Sequence, residues 1–393
     1  DFLYTDVDFS SDAFLRFSSR NEGEGGLSPG KLVFVSELER FADLPFEQIL
    51  EELVGSRKPD GVNLGGPAII ALIGAAQILE TDSADVAFHG ARGRDQTGRL
   101  VTDFLRGAPL DLGGYRVLSG RTPFTYVFSD PRYAEGAGER MFVNNIGAAW
   151  NFAPGLLEEE FFSADVVLFG ATAIVPPLHM GLTDLLRRAR AGGAFTVVTT
   201  VYDFLNQKRD PVSPWPLGEG AASFPLIDLF VADREEALRT AGCSDIEKAA
   251  RTLLDAGVGA VVVTQGPKPF LAASRGGLFE AMQPRLMPVC RIIDRELEQH
   301  PERAGDTTGC GDNFAGGLLA SVMEQLSESE PGGLDLPLAC ARAAVAGGFA
   351  RFHVGGLYRE ERKGEKRRLM EPYFSHYVAE NLAARREDFA RRI

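Results

Sequence analysis

Hydrophobic and polar positions alternate in blocks through the middle of the chain. Four apolar runs have the length and the β-branched content of buried strands, namely DVVLFGA (165–171), FTVVTT (195–200), LIDLFVA (226–232) and GAVVVTQG (259–266). Between them lie amphipathic stretches such as LTDLLRRARAGG, in which apolar residues recur at helical spacing. Strands that alternate with helices predict an α/β fold, a three-layer sandwich whose mostly parallel central sheet is covered by helices on both faces.

Helix boundaries are predicted by the residues that favour helix ends. The stretch SDIEKAARTLLDAG begins with Ser244 and has Glu247 three residues later, which predicts a capping box, and Gly257 predicts its C-cap. An uncharged stretch, VNLGGPAIIALIGAAQIL (62–79), contains Pro67, a residue favoured in a first helical turn. Only about a dozen helical residues remain after Pro67, whereas a bilayer needs about 20, so we predict a buried helix and no membrane span.

Residues 114–146 interrupt the alternation. The stretches TPFTYVFSDP and GERMFVNNIG have strand character and are joined by a loop with Gly and Pro, which predicts a hairpin. The start of the chain is irregular too, so we expect one domain of residues 46–113 and 147–393, with residues 1–45 and 114–146 as a small β lid. The charged tail predicts a solvated C-terminal helix, and a basic partner-binding arm is the alternative.

Composition places the chain among soluble globular proteins. Hydrophobic residues make up 45% and charged residues 24% of the 393 positions. The formal net charge of −14 argues against nucleic acid or an anionic membrane as the main partner. The four cysteines are widely spaced and form no metal-binding pattern, which favours reduced thiols in a cytoplasmic protein.

The stretch AGDTTGCGDNFAGGLLASV (304–322) places glycines and acids directly before an apolar helix. Beyond Asp312 the apolar residues recur every four positions, at Phe314, Leu318 and Val322. Gly309, Cys310 and Gly311 then form the turn that enters this helix. Backbone amides at a helix start lack intrahelical partners and carry partial positive charge, so small residues there let an anion such as phosphate approach.

Asp312 stands beside this predicted anion site, where a bound phosphate repels a carboxylate. Its presence is explained if it takes a proton from a hydroxyl group that attacks the phosphate. The structural alternative is a glycine-rich turn that Asp312 merely caps. The length of the DTTGCGD string, together with the apolar phase of the helix that follows, favours the functional interpretation.

DTTGCGD resembles the DTxGAGD signature of the ribokinase-like (PfkB) carbohydrate kinases, with Cys310 where alanine is usual. Other segments resemble family motifs in the family's order, namely VNLGGPAIIALIGAAQIL, FHGARGRDQTGRLVTDFL, VADREEALRTAG, VVVTQG and AAVAGGFARFHVGG. The resemblance covers roughly residues 60–357. The lid region is more similar to the sugar-kinase and adenosine-kinase branches than to minimal ribokinase.

The resemblance implies a role for each matching residue. Asp312 would be the catalytic base, and the anion hole would consist of the amides of Gly309, Cys310 and Gly311. Thr264 and Gly266 would lie at the nucleotide. Asp306 and Thr308 would help to hold a monovalent cation such as K⁺ beside the anion hole. The magnesium-linked motif of the family falls on Asp233 and Glu236. Acceptor-side roles fall on Gly65 and Gly66, with Arg140 from the lid and Asp8, for which Asp6 and Asp12 are alternatives.

Three positions depart from the family pattern. Ile70 replaces an asparagine that contacts substrate, Asp233 replaces an asparagine, and Pro269 replaces a glycine. The resemblance implies an ATP- and Mg²⁺-dependent kinase that phosphorylates a hydroxyl of a sugar or sugar-like molecule. The alternatives are a nucleoside kinase and a catalytically silent binding or regulatory protein. We also expect a homodimer joined through the lid, with the acceptor bound between the lid and the sheet near Asp312.

Overall fold

The central sheet forms where the apolar runs predict it. The structure is a computed structural model that describes residues 1–21, 23–79, 84–136, 138–328 and 333–382. The six strands of the central sheet are Val166–Gly170, Phe195–Thr199, Leu229–Asp233, Ala260–Gln265, Lys268–Ser274 and Met282–Met287, and neighbours in the sheet follow chain order. The first four strands run parallel, and the last two are added as antiparallel strands. The predicted α/β class is confirmed.

Helices cover both faces of the central sheet because the strands are apolar on both sides. Val231 and Val262 belong to a hydrophobic cluster that includes the helices Pro67–Ile78, Cys310–Glu328, Leu336–Phe349 and Glu365–Asn381. The alternate residues Phe230, Val261 and Val263 are buried outside that cluster, where the helices Arg234–Ala241 and Ile246–Asp255 pack on these strands. This alternation with a period of two is the one expected of a strand buried on both faces.

Shorter helices complete the unit that contains the central sheet, which comprises residues 66–90, 107–115 and 152–393. They are Glu159–Phe162, Pro176–Met180, Leu182–Ala191, Phe204–Arg209 and Arg291–Gln299. The helix Pro67–Ile78 starts at the proline, as predicted. In the part of the chain that the structure describes, no helix has both the length and the apolar character that crossing a bilayer requires.

The other compact unit comprises residues 1–65, 91–106 and 116–151. Its five-stranded sheet, here the lid sheet, has the order Leu32–Phe34, Glu139–Asn145, Phe124–Asp130, Phe2–Tyr4 and Gly61–Val62. The predicted hairpin is present, since Phe124–Asp130 and Glu139–Asn145 pair antiparallel. The α-helices of the unit are Asp12–Arg16, Val35–Ala42, Phe46–Val54, Gln96–Leu105 and the single turn Tyr133–Gly136. Two short strands, Gly90–Arg92 and Tyr115–Val117, pair with each other. The predicted division into a kinase domain and a lid stays a prediction.

Three local predictions are wrong, the first being the C-cap of the helix Ile246–Asp255, which is Ala256 and not Gly257. The helix Ile246–Asp255 is capped by Asp245, whose carboxylate accepts the amide of Lys248 at 3.0 Å, so Ser244 and Glu247 form no capping box. Asp245 serves better than Ser244 because its side chain is in register with the first free amides. The C-terminal helix Glu365–Asn381 is not a solvated one, because it buries Lys366, Met370, Phe374, Tyr377 and Val378. The tail beyond 382 lies outside the described residues.

Candidate active site

Several predicted site residues lie where strands of the central sheet end. Asp233 and Thr264 are direct partners in neighbouring parallel strands, so they share the carboxyl edge of the sheet. Gly170 ends another strand at this edge, and a Cβ added there would stand 2.8 Å from the Cβ of Ala68. The first turn of the helix Pro67–Ile78, preceded by Gly66, therefore lies against the same edge. In parallel α/β sheets this edge is where ligands bind.

The loop 305–311, here the anion loop, packs against the loop 353–356. A Cβ on Gly309, whose φ is +76°, would stand only 2.3 Å from the Cα of Gly356. A Cβ on Gly356 in turn would lie 3.0 Å from Cγ2 of Ile70, a side chain only 2% exposed. Ile70, the departure from the family pattern, thus supports the anion loop through the loop 353–356. It adds no polar group to the first turn of its helix.

The amides of the anion loop have the free donors that an anion site requires. Within the described residues, the amides of Gly309, Gly311 and Asp312 find no acceptor, and that of Cys310 reaches only Thr307 O at 3.4 Å. The helix Cys310–Glu328 starts here, so its dipole places partial positive charge on the same groups. The amide of Asp312 is a donor that the sequence interpretation missed. Burial raises the pKa of the Cys310 thiol to about 11, so this residue is a neutral small side chain.

Asp312 lies in the first turn of that helix and is half-buried. Its carboxylate makes no hydrogen bond or ion pair with any of the residues that the structure describes. Burial raises its pKa from 3.8 to about 6. A carboxylate that is desolvated and unpartnered beside open amides is a stronger base than an ordinary aspartate, and it still ionises below neutral pH.

Asp306 and Thr308 hold the anion loop in shape. Asp306 Oδ1 accepts the amides of Thr308 and Gly355, both at 3.0 Å, and its Oδ2 accepts the Thr308 hydroxyl at 3.1 Å. The Asp306 amide donates to His353 O at 3.2 Å. These contacts fasten the two loops together, which is a structural task that the predicted cation role did not include.

Thr264 and Gly266 lie at a tight hairpin at the end of the strand Ala260–Gln265. Gln265 and Lys268 are direct partners, so Gly266 and Pro267 form a two-residue turn. Gly266 has φ +60°, a conformation that its position in the turn demands and that glycine adopts without strain. Pro269 follows in the edge of the hairpin, where its carbonyl accepts Nε2 of Gln265 at 2.6 Å. The turn therefore explains Gly266 without a nucleotide.

Asp233 and Glu236 form a capping box at the start of the helix Arg234–Ala241. Asp233 accepts the Glu236 amide at 2.8 Å, and Glu236 Oε2 accepts the Asp233 amide at 3.0 Å and the Thr200 hydroxyl at 2.7 Å. Burial, with the nearby charge of Asp233, raises the pKa of Glu236 to about 7. In the described part of the chain, no three His, Cys, Asp or Glu side chains are arranged to hold a metal ion.

The remaining predicted acceptor residues belong to the unit of the lid sheet. Arg140 is exposed on the strand Glu139–Asn145, and Asp8 is exposed in a loop, where it accepts the amide and hydroxyl of Ser10. A Cβ on Gly65 would stand 2.7 Å from a carboxylate oxygen of Asp1. Asp1 is a polar neighbour of Gly65 that sequence reasoning missed, because it considered only later aspartates.

Two further residues behind the anion loop carried no signal in the sequence. Asn313, directly after Asp312, is fully buried, and its amide donates to the carbonyls of Gly309 and Gly356. Lys366, from the charged tail, is 1% exposed and contacts Asn313. A lysine in a run of charges is normally solvated, so its burial could not be read from its neighbours.

The chain is similar in sequence to carbohydrate and nucleoside kinases. The profile of the pfkB family carbohydrate kinases matches residues 31–361. A cytidine kinase of Thermococcus kodakarensis is 28% identical over 214 residues, which span 54% of this chain and 65% of that relative. The chain thus covers slightly less than two thirds of the length of that protein.

Solved structures show the same fold at low identity. Adenosine kinase from Schistosoma mansoni in complex with 2-fluoroadenosine has a TM-score of 0.64 at 15% identity, covering 91% of this chain and 94% of that one. A protein from E. coli described as ribokinase II, in complex with ATP and Mg²⁺, has a TM-score of 0.58 at 18% identity, covering 81% of this chain and 90% of that one. These likenesses confirm the ribokinase-like fold.

Proposed function

Because the chain belongs to the pfkB family of carbohydrate kinases, we propose that it transfers the γ-phosphoryl group of ATP to a hydroxyl of a sugar or sugar-like small molecule. The observation that carries this proposal is the pairing of an unpartnered carboxylate, Asp312, with open backbone amides at the start of one helix. A scaffold needs neither feature. Together they supply the base and the anion site of a phosphoryl transfer.

In the proposed reaction, Asp312 accepts the proton of the acceptor hydroxyl while the hydroxyl oxygen attacks the γ-phosphorus in line, the bond from this phosphorus to the β–γ bridging oxygen breaks, and ADP leaves. The amides of Gly309, Cys310, Gly311 and Asp312 donate to the oxygens of the transferring group, and that of Cys310 gives up its long contact with Thr307 O to do so. Negative charge spreads over these oxygens in the transition state, so donors fixed by the helix stabilise it without reorganisation. The pKa of about 6 keeps Asp312 ionised at neutral pH.

The donor set suits magnesium in number and type. Asp233 is an exposed carboxylate at the carboxyl edge of the sheet, and Glu236, three residues on, is a buried carboxylate whose Oε2 already accepts from the Asp233 amide and the Thr200 hydroxyl. Mg²⁺ prefers oxygen ligands and keeps several waters, so two protein carboxylates fit it when a nucleotide supplies the others. Bound there with ATP, the ion would neutralise charge on the phosphates. We assign Asp233 and Glu236 to holding its water shell.

A nucleoside acceptor is the second candidate. The similarity to a cytidine kinase and to an adenosine kinase favours it. Ile70 does not separate the two acceptor classes, because it is buried under Gly356 and because a nucleoside also carries sugar hydroxyls. Thr264 and Gly266 at the nucleotide, Asp8, Arg140, Gly65 and Gly66 at the acceptor, and K⁺ beside Asp306 and Thr308 remain parts of the proposal.

The deciding experiment measures ADP release with ATP and Mg²⁺ across a panel of sugars and nucleosides, each compared with an acceptor-free control. We expect one acceptor class to raise the rate well above the control, and Asp312→Asn to abolish that increase. A flat response over the panel, or an equal response in the variant, would overturn the proposal and favour a silent binding protein. Repeating the assay with and without K⁺ tests the monovalent cation.

Assembly and location are part of the same proposal. We expect a homodimer joined through the lid sheet, because closed sheet edges resist uncontrolled pairing, and a cytoplasmic protein that binds neither nucleic acid nor membrane. Light scattering during size-exclusion chromatography measures the assembly directly. A monomer at micromolar concentration would contradict the dimer and leave the kinase proposal unchanged.

A further inference from the structure

Lys366 is a buried lysine that faces neutral partners. Its Nζ donates to Oδ1 of Asn313 at 2.6 Å and to Oε1 of Gln77 at 3.3 Å. Burial lowers its pKa to about 7, and the charge of Glu360 opposes this shift. Lysines are almost never fully buried unless they are paired, because the ammonium group loses its hydration. A lysine kept in such a place needs a reason that stability alone does not supply.

Its main partner, Asn313, has a fixed orientation as a result. The ammonium form of a lysine can only donate, so the amide oxygen of Asn313 faces Nζ. The amide nitrogen then faces the carbonyls of Gly309 at 3.0 Å and Gly356 at 2.8 Å, which can only accept. Turning the amide over would oppose like groups at all three contacts. Lys366 therefore selects the orientation in which Asn313 binds both loops.

The Gly309 carbonyl belongs to the same peptide unit as the amide of Cys310. In a trans peptide these two groups point in opposite directions, and the structure has no cis peptide among its described bonds. Both the backbone amide of Asn313, at 2.9 Å, and its side-chain amide, at 3.0 Å, donate to the Gly309 carbonyl and hold it on the buried side, so the amide of Cys310 faces the other side, where its one acceptor among the described residues is Thr307 O at 3.4 Å. The orientation of the Gly309–Cys310 peptide is thus fixed by Asn313 from the buried side.

We propose that Lys366 is a positioning residue of the anion loop: through Asn313 it locks the Gly309–Cys310 peptide with its N–H directed at the transferring phosphoryl group. This inference rests on the proposed kinase function and adds a residue from the C-terminal helix, outside the matched range 31–361, to the active site. Lys366 does not touch a substrate. It acts by keeping an amide in place that the transition state uses.

Three variants separate this role from general stability. Lys366→Met keeps the length of the side chain but removes the donor, and Lys366→Gln retains an N–H donor without charge. Arg367→Met is the matched control, because Arg367 lies on the same helix and binds Ile78 O at 2.9 Å and Glu324 at 2.7 Å without reaching Asn313. All three variants weaken contacts of the helix with its neighbours.

We expect Lys366→Met to lower kcat about 10- to 100-fold while the acceptor KM changes less than about threefold, because a displaced amide acts mainly on the transition state. Lys366→Gln should recover most of that loss, and Arg367→Met should keep the wild-type kcat even if its Tm falls. Equal kcat in all variants, or losses that follow Tm alone, would overturn the inference. If Lys366→Met fails to fold, Lys366→Gln against Arg367→Met decides.

An activity-independent measurement separates this inference from the proposed function. Hydrogen exchange of a peptide that covers residues 305–313 should be faster in Lys366→Met, whereas exchange in the later turns of the helix Cys310–Glu328 stays unchanged. If no acceptor is phosphorylated, the kinase proposal fails and the exchange result alone decides the role of Lys366. If Asp312→Asn is inactive but Lys366→Met matches the wild type in both measurements, only the role of Lys366 fails.

Discussion

Two helices beside the central sheet begin with acidic residues, and their first turns differ in one respect. At the helix Arg234–Ala241, the side chains of Asp233 and Glu236 each accept a hydrogen bond from the backbone amide of the other, and the Thr200 hydroxyl also donates to Glu236. At the helix Cys310–Glu328, Asp312 accepts nothing from the described chain, and the neighbouring amides donate to no acceptor except for one long contact. The hydrogen-bonding groups in the first turn of the helix Arg234–Ala241 therefore bind one another. In the first turn of the helix Cys310–Glu328, the carboxylate of Asp312 and the backbone amides both stay available to a ligand.

This difference separates structural from chemical acids. Both Glu236 and Asp312 have a raised pKa, and in both the first cause is burial. A raised pKa therefore does not distinguish them, whereas the hydrogen-bond partners do. A carboxylate with hydrogen-bond donors is stabilised by the fold itself, whereas a buried carboxylate without them lowers stability, and its retention is explained when the reaction uses it.

The largest expected effect follows from removing the base. Asp312→Asn should lower kcat about 10²- to 10⁴-fold, the usual contribution of a general base, and steady-state kinetics on the identified acceptor measures it. Asp228→Asn is the matched control, because it makes the same change at a buried aspartate that directly precedes the strand Leu229–Asp233, at the opposite end of this strand from Asp233. Retention of more than a tenth of wild-type turnover in Asp312→Asn would remove Asp312 from the role of base.

The same variant should change stability with pH. The folded pKa of Asp312 is about 6, above the reference of 3.8, so its neutral form is favoured by folding and stability is lost as pH rises from 4 to above 6. Asparagine cannot ionise, so Asp312→Asn should gain about 1–3 kcal/mol over the wild type at pH 8 compared with pH 4. Urea unfolding at both pH values tests this. An identical pH dependence would show that the carboxylate is not desolvated.

A smaller effect is expected from narrowing the anion site. A Cβ on Gly311 would have no heavy atom within 4 Å, so Gly311→Ala should fold normally and place its methyl group where a phosphate binds. We expect kcat/KM to fall about 10- to 100-fold from this displacement. Gly309→Ala is the contrast, since its Cβ would meet Gly356 at 2.3 Å and should lower Tm as well. Unchanged kinetics in Gly311→Ala would place the phosphate elsewhere.

At the start of the helix Arg234–Ala241 we expect a smaller effect on the rate, which acts through the Mg²⁺ dependence. Glu236→Gln keeps the capping box, because glutamine serves at this position, but it removes a charge. The Mg²⁺ concentration for half-maximal rate should rise a few-fold, roughly the effect of about 1 kcal/mol, with the Tm nearly unchanged. Titration of Mg²⁺ at saturating ATP measures it. A change confined to the acceptor KM would contradict the assignment to the metal.

The smallest effect concerns a cap far from the chemistry. Asp245→Ala should destabilise the protein by about 1 kcal/mol, because it removes the acceptor for the Lys248 amide. Ser244→Ala, one residue earlier and exposed, should leave the Tm within error. Thermal unfolding of the two variants checks the corrected register. The reverse order would restore the capping box predicted from Ser244 and Glu247.

The sequence could predict whatever depends on local pattern. The apolar run Val261, Val262 and Val263 predicts a strand buried on both faces, and all three residues are buried. Pro67 correctly predicts the start of its helix. The Asp312 stretch could be recognised because its residues are adjacent. Lys366 could not, because its contact with Asn313 joins positions 53 residues apart. The capping box at Asp233 was missed for another reason: the same carboxylates also fit a metal motif, and the pattern cannot tell whether a carboxylate oxygen is already occupied.

The contact between Lys366 and Asn313 has a consequence for the timing of protein synthesis. A ribosome adds roughly 5–20 residues per second. The 53 residues that separate the partners therefore take about 3–10 seconds to make. Throughout that interval the anion loop exists without the group that orients its central peptide. A growing chain that has made Asp312 but not yet the final helix thus carries the base of the reaction before it carries a finished phosphate site.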